Sequence, residues 1–339
     1  MKFIHLADCH IGDSLSFDRS LSNKIRENKK RSFENILKNN KDLDFLLIAG
    51  DLYERSYFTI SDYKELFSLI EDFAKDVFYV TGNHDYIGKE DDLINLLKPD
   101  NLHLYSTDEL EYYQIENTRI YGISYNDRIF DKEFSYDISL DDEFFNILLV
   151  HATVNDNSSN YLNLNLEKLK NIGFDYVGLG HIHKWEDFGS KVYYSGSIEP
   201  SDFSDVYDYG YLLFENGEIS HKDSSIMKFY DIDLSMNDYK SENDLISYLK
   251  TKLNSNKENY LRLRIYKNIN ININKLKEEL NLEYLEVDVS TNDSVFDLIN
   301  LYPNSLLTKY IEKFPDNLDT TEKLALELGL DAIYRSKND

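Results

Sequence analysis

Histidine, aspartate and asparagine are concentrated at five points of this chain, each at or directly after the end of a short apolar run that predicts a β-strand. Five of the eight histidines in the 339 residues fall at these points. Because the carboxyl ends of parallel strands in an open α/β sheet meet at one edge, we expect the side chains that follow them to come together. In chain order the motifs are Asp8-x-His10, Gly50-Asp51, Gly82-Asn83-His84-Asp85, His151 and Gly180-His181-x-His183.

These residue types suit a site for two divalent cations that bind a phosphate. Two cations about 3.5–4 Å apart can hold both the attacking and the leaving oxygens of a phosphoryl displacement. Such a site needs one carboxylate between the cations and several neutral ligands, so that positive charge remains for the phosphate. Asp8 and His10 alternate on one strand end, Asp51 follows a glycine that permits a sharp turn, and Asn83 offers an amide oxygen. Each motif alone could be a turn, a helix cap or a core histidine, and only the ordered set predicts the site.

The alternation of strands with helices predicts an α/β fold. Buried strands are expected at 3–7, 45–49, 77–80, 147–150 and 176–179, with helices at about 21–39 and 61–75. Further strand-like runs at 119–123, 191–194 and 209–214 predict a second sheet packed on the first, and hence a sandwich flanked by helices.

The pattern changes near 224–228, which predicts a domain boundary. We expect a first domain at 1–224, a compact α+β domain at 228–292 and a helical tail at 294–339 with breaks at Pro303 and Pro315. The apolar spacing of Leu324, Leu328 and Ile333 fits a tail that covers the domain, the preferred interpretation, or one that binds a partner.

Composition limits the cellular setting and the partners. The single cysteine, Cys9, excludes an intramolecular disulfide and favours a reducing compartment. No apolar run is long enough for a transmembrane helix, so we expect a cytoplasmic protein without a membrane partner. The net charge of −25 argues against strong nonspecific binding of a polyanion by this chain alone.

The order of the five motifs resembles that of the calcineurin-like metallophosphoesterases over about residues 1–200. The resemblance implies a four-layer αββα fold and a pair of divalent metals, with manganese as the expectation. It implies that His84 lies near the scissile phosphate as a catalytic residue, and that Asp85 orients His84 by accepting its other N–H. The implied ligands are Asp8, His10 and His183 for one metal, Asn83, His151 and His181 for the other, and Asp51 as the bridge between them.

Within that superfamily the chain resembles the DNA repair exonucleases of the SbcD type. The similar segments are residues 1–12, residues 48–53 and the run Tyr194-Ser195-Gly196-Ser197-Ile198-Glu199-Pro200 followed by Phe203. The predicted α+β domain matches their DNA-capping domain in position and size. The resemblance implies a homodimer that works with an SbcC-like coiled-coil ATPase, docked or paired through 61–75, 91–97 and the tail. One departure is Glu54, where some members carry histidine and bacterial members often carry aspartate.

The densest basic stretch, at 24–31, is a candidate contact for a phosphate backbone, although a solvated helix face is slightly preferred. Arg262, Arg264 and Lys267 form a weaker candidate.

The sequence leaves three functions open. The first is a metal-dependent DNA exonuclease or endonuclease. The second is a phosphodiesterase that acts on small nucleotides or other phosphoesters, which the negative charge favours. The third, a scaffold subunit with a structural metal site, is the least favoured because such a site would not need His84 beside its ligands.

Overall fold

The computed structural model describes residues 1–13, 17–88, 92–156, 159–235, 239, 241–266, 272–290, 305–315 and 320–335. The chain divides into two compact units, Met1–Tyr230 with Asn254–Tyr260, and Asp231–Leu253 with Leu261–Asp339. Three positions singled out in the sequence, namely Lys267, Pro303 and the first residue of 91–97, lie outside the described residues.

The described helices and strands are as follows. The helices are α1 (Arg19–Asn39), α2 (Ile60–Phe73), α3 (Asp92–Leu97), α4 (Leu166–Ile172), α5 (Glu242–Lys252), α6 (Ile273–Glu279), α7 (Leu306–Ile311) and α8 (Thr320–Arg335). The strands are β1 (Lys2–Leu6), β2 (Phe45–Ala49), β3 (Asp76–Val80), β4 (Leu102–Leu104), β5 (Glu111–Ile115), β6 (Thr118–Ile123), β7 (Phe145–His151), β8 (Thr153–Val154), β9 (Asn163–Leu164), β10 (Tyr176–Gly180), β11 (Glu186–Asp187), β12 (Val192–Tyr194), β13 (Gly210–Glu215), β14 (Glu218–Asp223), β15 (Met227–Ser235), β16 (Glu258–Tyr266) and β17 (Leu282–Ser290).

Two six-stranded sheets form the first unit. One has the order β14-β13-β1-β2-β3-β4 and the other the order β11-β12-β10-β7-β6-β5. Strands β1 to β4 run parallel to one another, and β10, β7 and β6 run parallel in the second sheet. In each sheet the strands that precede the ligand motifs therefore end at one edge.

The alternation of side chains along β1 shows how the layers form. Ile4 and Leu6 pack with the helices that cover the outer face of the first sheet, whereas Phe3 and Ala7 pack against the second sheet. Both faces of the strand are apolar because both are buried, which is typical of parallel sheets. His5 is a buried exception, with Nδ1 3.0 Å from the Tyr176 hydroxyl.

Local sequence signals set where the covering helices begin. Asp18 caps α1 by accepting from the backbone N–H groups of Ser20 and Leu21. Thr59 and Asp62 form a reciprocal capping box at the start of α2. The apolar faces of the two helices pack on the first sheet, through Phe33, Ile36, Leu37, Leu66, Phe67, Ile70 and Phe73.

The second sheet is covered on its outer face by α4, through Leu169, and by an irregular segment that buries Phe130 and Phe134. Helices thus flank two packed sheets, which confirms the predicted α/β class and the helix-flanked sandwich. The run at 209–214 was expected in the second sheet, but β13 pairs antiparallel with β1 and belongs to the first. Among the described residues, no helix is both long and apolar enough to cross a lipid bilayer.

After residue 226 a three-stranded sheet of order β15-β16-β17 is followed by the paired helices α7 and α8. Ile311 and Leu326 are buried between these helices. Leu324 and Leu328 are 57% and 62% exposed. Of the three residues on which the covering interpretation rested, Leu324 and Leu328 are therefore exposed, whereas Ile333 packs in the helix pair.

Glu199, in the segment that resembles the SbcD type, forms hydrogen bonds that hold the start of β15 in place. Its buried carboxylate accepts from the backbone N–H groups of Ile226 and Met227 at 2.5 and 3.1 Å and from the Ser32 hydroxyl of α1. The loop after β12, the start of β15 and α1 are thereby joined near the predicted boundary at 224–228. The boundary between the units falls slightly later, after Tyr230.

Replacing Glu199 with alanine should lower the free energy of unfolding by about 3 kcal/mol, because three buried donors would lose their acceptor. Urea denaturation measures this. The matched control, Glu218→Ala on exposed β14, should stay within about 0.5 kcal/mol of the wild type. Equal effects of the two substitutions would show that Glu199 does not hold this junction.

Candidate metal centre

The seven predicted ligand residues meet at the carboxyl edge of both sheets. Three strands of the first sheet and two of the second deliver them. All but two of the seven are buried, and those two, His181 and His183, are half-buried. The residues follow or end their strands in the order Asp8 and His10 after β1, Asp51 after β2, Asn83 after β3, His151 at the end of β7, and His181 and His183 after β10.

One group of donor atoms is formed by Asp8, His10 and His183. The Nε2 atoms of the two histidines lie 3.2 Å apart. Ligand atoms of all three residues lie within 4.8 Å of one another. Two imidazole nitrogens that converge in this way can share one cation, since metal–nitrogen bonds of about 2.1 Å separate neighbouring ligands by about 3 Å.

A second group is formed by Asn83, His151 and His181. Nε2 of His151 lies 3.0 Å from Oδ1 of Asn83 and 3.3 Å from Nδ1 of His181. The neutral amide oxygen and the two imidazoles provide the mixed oxygen and nitrogen donors that suit manganese, iron or zinc.

Asp51 lies between the two groups. Its Oδ2 is 3.3 Å from Nε2 of His151 and 3.8 Å from Nε2 of His10. Its Oδ1 accepts from the backbone N–H of His84 at 2.8 Å. A single carboxylate therefore faces histidines of both groups, as a bridge between two cations requires. The donor set fits a pair of divalent metals.

Hydrogen bonds from the surrounding chain fix the orientation of two of the imidazoles. Nδ1 of His151 donates to the Ala49 carbonyl oxygen at 3.0 Å, which leaves Nε2 for a metal. Nδ1 of His183 lies 2.7 Å from Oδ2 of Asp205. Sequence reasoning missed Asp205, because nothing distinguishes it from Asp202 and Asp208 in the same loop.

The backbone of the site is strained at the residues that supply ligands. Asp8, His10, Asp51 and His181 have φ angles of 51°, 43°, 50° and 99°, in the left-handed region that non-glycine residues seldom adopt. Such conformations persist only where the surroundings hold them, and they occur preferentially at functional sites. The turns after three different strands thereby aim side chains into one space.

Close approach of neighbouring atoms to the backbone explains why two of the motifs contain glycine. A Cβ at Gly180 would overlap the Ala49 carbonyl oxygen, and a Cβ at Gly82 would overlap Oδ1 of Asp51. The two sheets and their turns therefore approach more closely than any other residue would allow.

The expectation for Asp85 is wrong in its detail. Its buried carboxylate accepts from the backbone N–H groups of Gly82, Asp51 and Leu52 and from the Tyr79 hydroxyl, at 2.6, 3.2, 2.5 and 2.5 Å. It therefore joins the turn that carries Asp51 to the turn that carries Asn83. It is a positioning residue for the ligands, and these bonds occupy it away from the His84 ring.

Glu54 takes the role expected for Asp85. Its Oε2 lies 2.5 Å from Nδ1 of His84. The only signal in the sequence is its position three residues after Asp51, where it departs from the residues that the resemblance implies. The His84 ring in turn lies edge-on to that of His10, with 4.8 Å between the ring centroids.

The electrostatics of the centre favour cations. Burial lowers the pKa of His10 well below its usual range, and burial with the charge of His151 lowers the pKa of His181 to about 3. Both rings are therefore neutral, the form that binds metal. Burial alone would lower the pKa of His151, but Asp51 and Asp8 outweigh it and raise that pKa to about 9. The buried carboxylates thus draw positive charge into the site.

The basic stretch at 24–31 is in part a solvated face, as preferred, since the Arg31 side chain is 54% exposed, but it also packs and pairs with neighbouring groups. The Lys29 side chain is buried, with Nζ 3.0 Å from Oγ of Ser201. Lys24 and Arg31 both pair with Glu258, at 3.2 and 3.6 Å. In the second unit Arg262 and Arg264 also pair with carboxylates, those of Asp231, Asp233 and Glu286.

A family model described as calcineurin-like phosphoesterase matches residues 1–185. The chain belongs to this family. Among curated relatives it is 28% identical over 246 residues to "Uncharacterized metallophosphoesterase YhaO" of Bacillus subtilis, a match that covers 66% of this chain and 59% of that protein. It is 26% identical over 314 residues to the SbcD subunit of the nuclease SbcCD of Staphylococcus epidermidis, covering 78% of this chain and 79% of the relative.

The match to the Bacillus relative thus spans less than two thirds of that protein. Among solved structures, TT1561 of Thermus thermophilus matches with a TM-score of 0.39 and 12% identity, over 66% of this chain and 98% of that one.

Replacing Asp205 with alanine should weaken manganese binding about 10–100-fold, because His183 would lose the hydrogen bond that orients its ring. Titration calorimetry with manganese measures the affinity. Asp208→Ala, which removes an exposed carboxylate from the same loop, is the control and should stay within about twofold of the wild type. Unchanged binding by the Asp205 variant would exclude this supporting role.

Proposed function

We propose that this calcineurin-like phosphoesterase is a metal-dependent DNA nuclease, and that Asp8, His10, Asp51, Asn83, His151, His181 and His183 hold its two metals. The observation that carries the proposal is the position of His84. Its backbone N–H bonds the bridging Asp51, and Nδ1 of its ring bonds Glu54, so that Nε2 is the ring nitrogen left for a substrate. A site that only stabilised the fold would not need this histidine.

When bound, a pair of divalent cations supplies Lewis-acid polarisation of the phosphate and activation of water. The residues of the chain position the groups that take part in this chemistry. Asp51 faces both ligand groups, and Asp85 holds its turn in place through two backbone N–H groups. His84 holds the proton that the leaving oxygen takes up as its bond to phosphorus breaks.

The environment of His84 suits a proton donor. Burial of the ring lowers its pKa, but the hydrogen bond with Glu54 and the charge of Asp51 outweigh burial and raise the pKa above its usual value. A raised pKa keeps the imidazolium populated to a higher pH. The side chain is about 30% exposed, so a substrate can reach it.

The choice of DNA rests on similarity. The relative from Staphylococcus is a nuclease subunit by its name, and the match extends beyond the family region into the later domain. A second candidate, a phosphodiesterase for small nucleotides or other phosphoesters, is favoured by the net charge of −25 and by the pairing of the basic stretch with carboxylates. Both candidates use the same metal centre, which we take to prefer manganese.

A partner would account for DNA binding by so acidic a chain. We propose that an SbcC-like coiled-coil ATPase binds the exposed face of the tail helices, where Leu306, Leu324 and Leu328 are 57% to 66% exposed. For the proposed homodimer, the exposed side chains of Ile60 on α2 and Leu96 on α3 offer an apolar contact. A reducing, cytoplasmic location agrees with the free thiol of Cys9.

Replacing Glu54 with glutamine should shift the alkaline limb of the pH profile of kcat to lower pH. The amide removes the charge that raises the pKa of His84, so the imidazolium is lost earlier as the pH rises. We expect about a tenfold lower kcat at pH 8.

The double variant Glu54→Gln/His84→Ala should be no slower than His84→Ala alone, since Glu54 acts through His84. Glu65→Gln, an exposed carboxylate of α2, is the control and should leave the profile in place. An unshifted profile in the Glu54 variant would contradict the role given to this residue.

The direct test of function is a manganese-dependent digestion of end-labelled duplex, hairpin and single-stranded DNA, beside bis(p-nitrophenyl) phosphate and cyclic nucleotides. Wild type should cleave DNA, and His84→Ala should be about 10²–10⁴-fold slower with near wild-type metal content. A matching loss of metal would make His84 a ligand. Turnover of small diesters with DNA intact, even after addition of a candidate ATPase, would favour the second function.

A further inference from the structure

A pocket adjoins the metal centre on the side of His181. The Tyr161 ring lies against the His181 ring, with 4.5 Å between their centroids. Tyr161 also lines a pocket of about 470 Å³, formed with Tyr136, Asn160 and Asn163 among others. A volume of this order accommodates a small organic group. The pocket is therefore lined by a ring that packs directly on a predicted metal ligand.

Hydrogen bonds hold the two segments that form the pocket. Phe130 donates its backbone N–H to the Asn160 carbonyl oxygen at 3.1 Å. Leu162 donates to the Tyr125 hydroxyl at 2.9 Å, and Asn165 donates to the Tyr136 hydroxyl at 2.6 Å. Tyr125 in turn packs edge-on against the ligand His151, 5.7 Å between centroids. The pocket is therefore preformed, and Tyr125 connects it to the predicted metal ligand His151.

The charges around the pocket favour a neutral occupant over a second phosphate. The lining contains two lysines, Lys132 and Lys168, and two carboxylates, Asp131 and Glu133, so their formal charges cancel. Lys132 is also paired with two carboxylates outside the pocket, at 2.7 and 2.8 Å. A neutral group fits such a lining better than an anion does, because the lining has no net positive charge to attract an anion.

The remaining chemistry is that of a planar, hydrogen-bonding ring. The half-buried Tyr161 presents an aromatic face, and aromatic side chains stack on nucleobases whatever their sequence. The exposed side chain of Asn160 adds an amide, a group that pairs with the edges of bases.

We propose that this pocket binds the nucleobase next to the scissile phosphate, by stacking on Tyr161. The inference rests on the proposed function and narrows it, since it makes nucleotides the substrate class. It gives the acidic chain a way to retain a nucleotide that does not depend on positive charge.

The test compares two diesters with the same leaving group, thymidine 5′-(p-nitrophenyl phosphate) and methyl p-nitrophenyl phosphate, on the manganese-loaded full chain. Wild type should have a higher kcat/KM for the nucleoside diester. In Tyr161→Leu the ratio of the two kcat/KM values should fall about tenfold, whereas Tyr161→Phe should keep it because the ring remains. Tyr112→Leu, an exposed tyrosine of β5, is the matched control and should also keep the ratio.

Calorimetry with thymidine 5′-monophosphate and inorganic phosphate provides a second readout on the wild type, independent of turnover. The nucleotide should bind about tenfold more tightly than phosphate, and this advantage should be lost in Tyr161→Leu. Hydrolysis of both diesters with an unchanged ratio, or equal binding of the two probes, would overturn the base pocket and leave the hydrolase standing. Failure to hydrolyse either diester or DNA would overturn the proposed function, whereas the calorimetry would still decide the base pocket.

Discussion

The close approach of the two sheets at their carboxyl edge is the constraint on which the site depends. Asp51, from the first sheet, faces His151 of the second at 3.3 Å. This distance requires that no side chain stand between the sheets, which is why glycine occupies position 180 against the Ala49 carbonyl. The left-handed turns at Asp8 and Asp51 then direct carboxylates into the gap. The strain of these turns is balanced by hydrogen bonds that would be lost if either sheet moved.

Carboxylates around this gap have three different roles. Asp51 faces both histidine groups, Asp85 binds the turns beneath it, and Glu54 and Asp205 hold the rings of His84 and His183. Only the innermost carboxylates offer oxygens to a cation, whereas the outer ones orient what surrounds it. In the proposed function this division lets a chain of net charge −25 hold a site for phosphate, because the acids in the site would bind and position cations that attract the anion.

The fold class and the convergence of the ligands could be predicted because both follow from strand order. Polar residues after buried strands must meet at one edge, and the sequence shows both the strands and the residues. The roles of Glu54 and Asp85 could not be separated, because each lies close to a ligand in sequence and only side-chain direction distinguishes them. Asp205 and Tyr161 come from loops, whose positions depend on contacts such as Leu162 with Tyr125 that carry no periodic signal. The burial of Lys29 on a charged helix could not be predicted either, because it depends on contacts with loop residues such as Ser201.

The bridged metal pair is tested most directly by anomalous diffraction from crystals of the chain grown with manganese. Two anomalous peaks are expected, one among Asp8, His10 and His183 and the other among Asn83, His151 and His181, with the Asp51 carboxylate in contact with both. A single peak, or two peaks of which Asp51 contacts only one, would contradict the bridged pair on which the proposed chemistry depends.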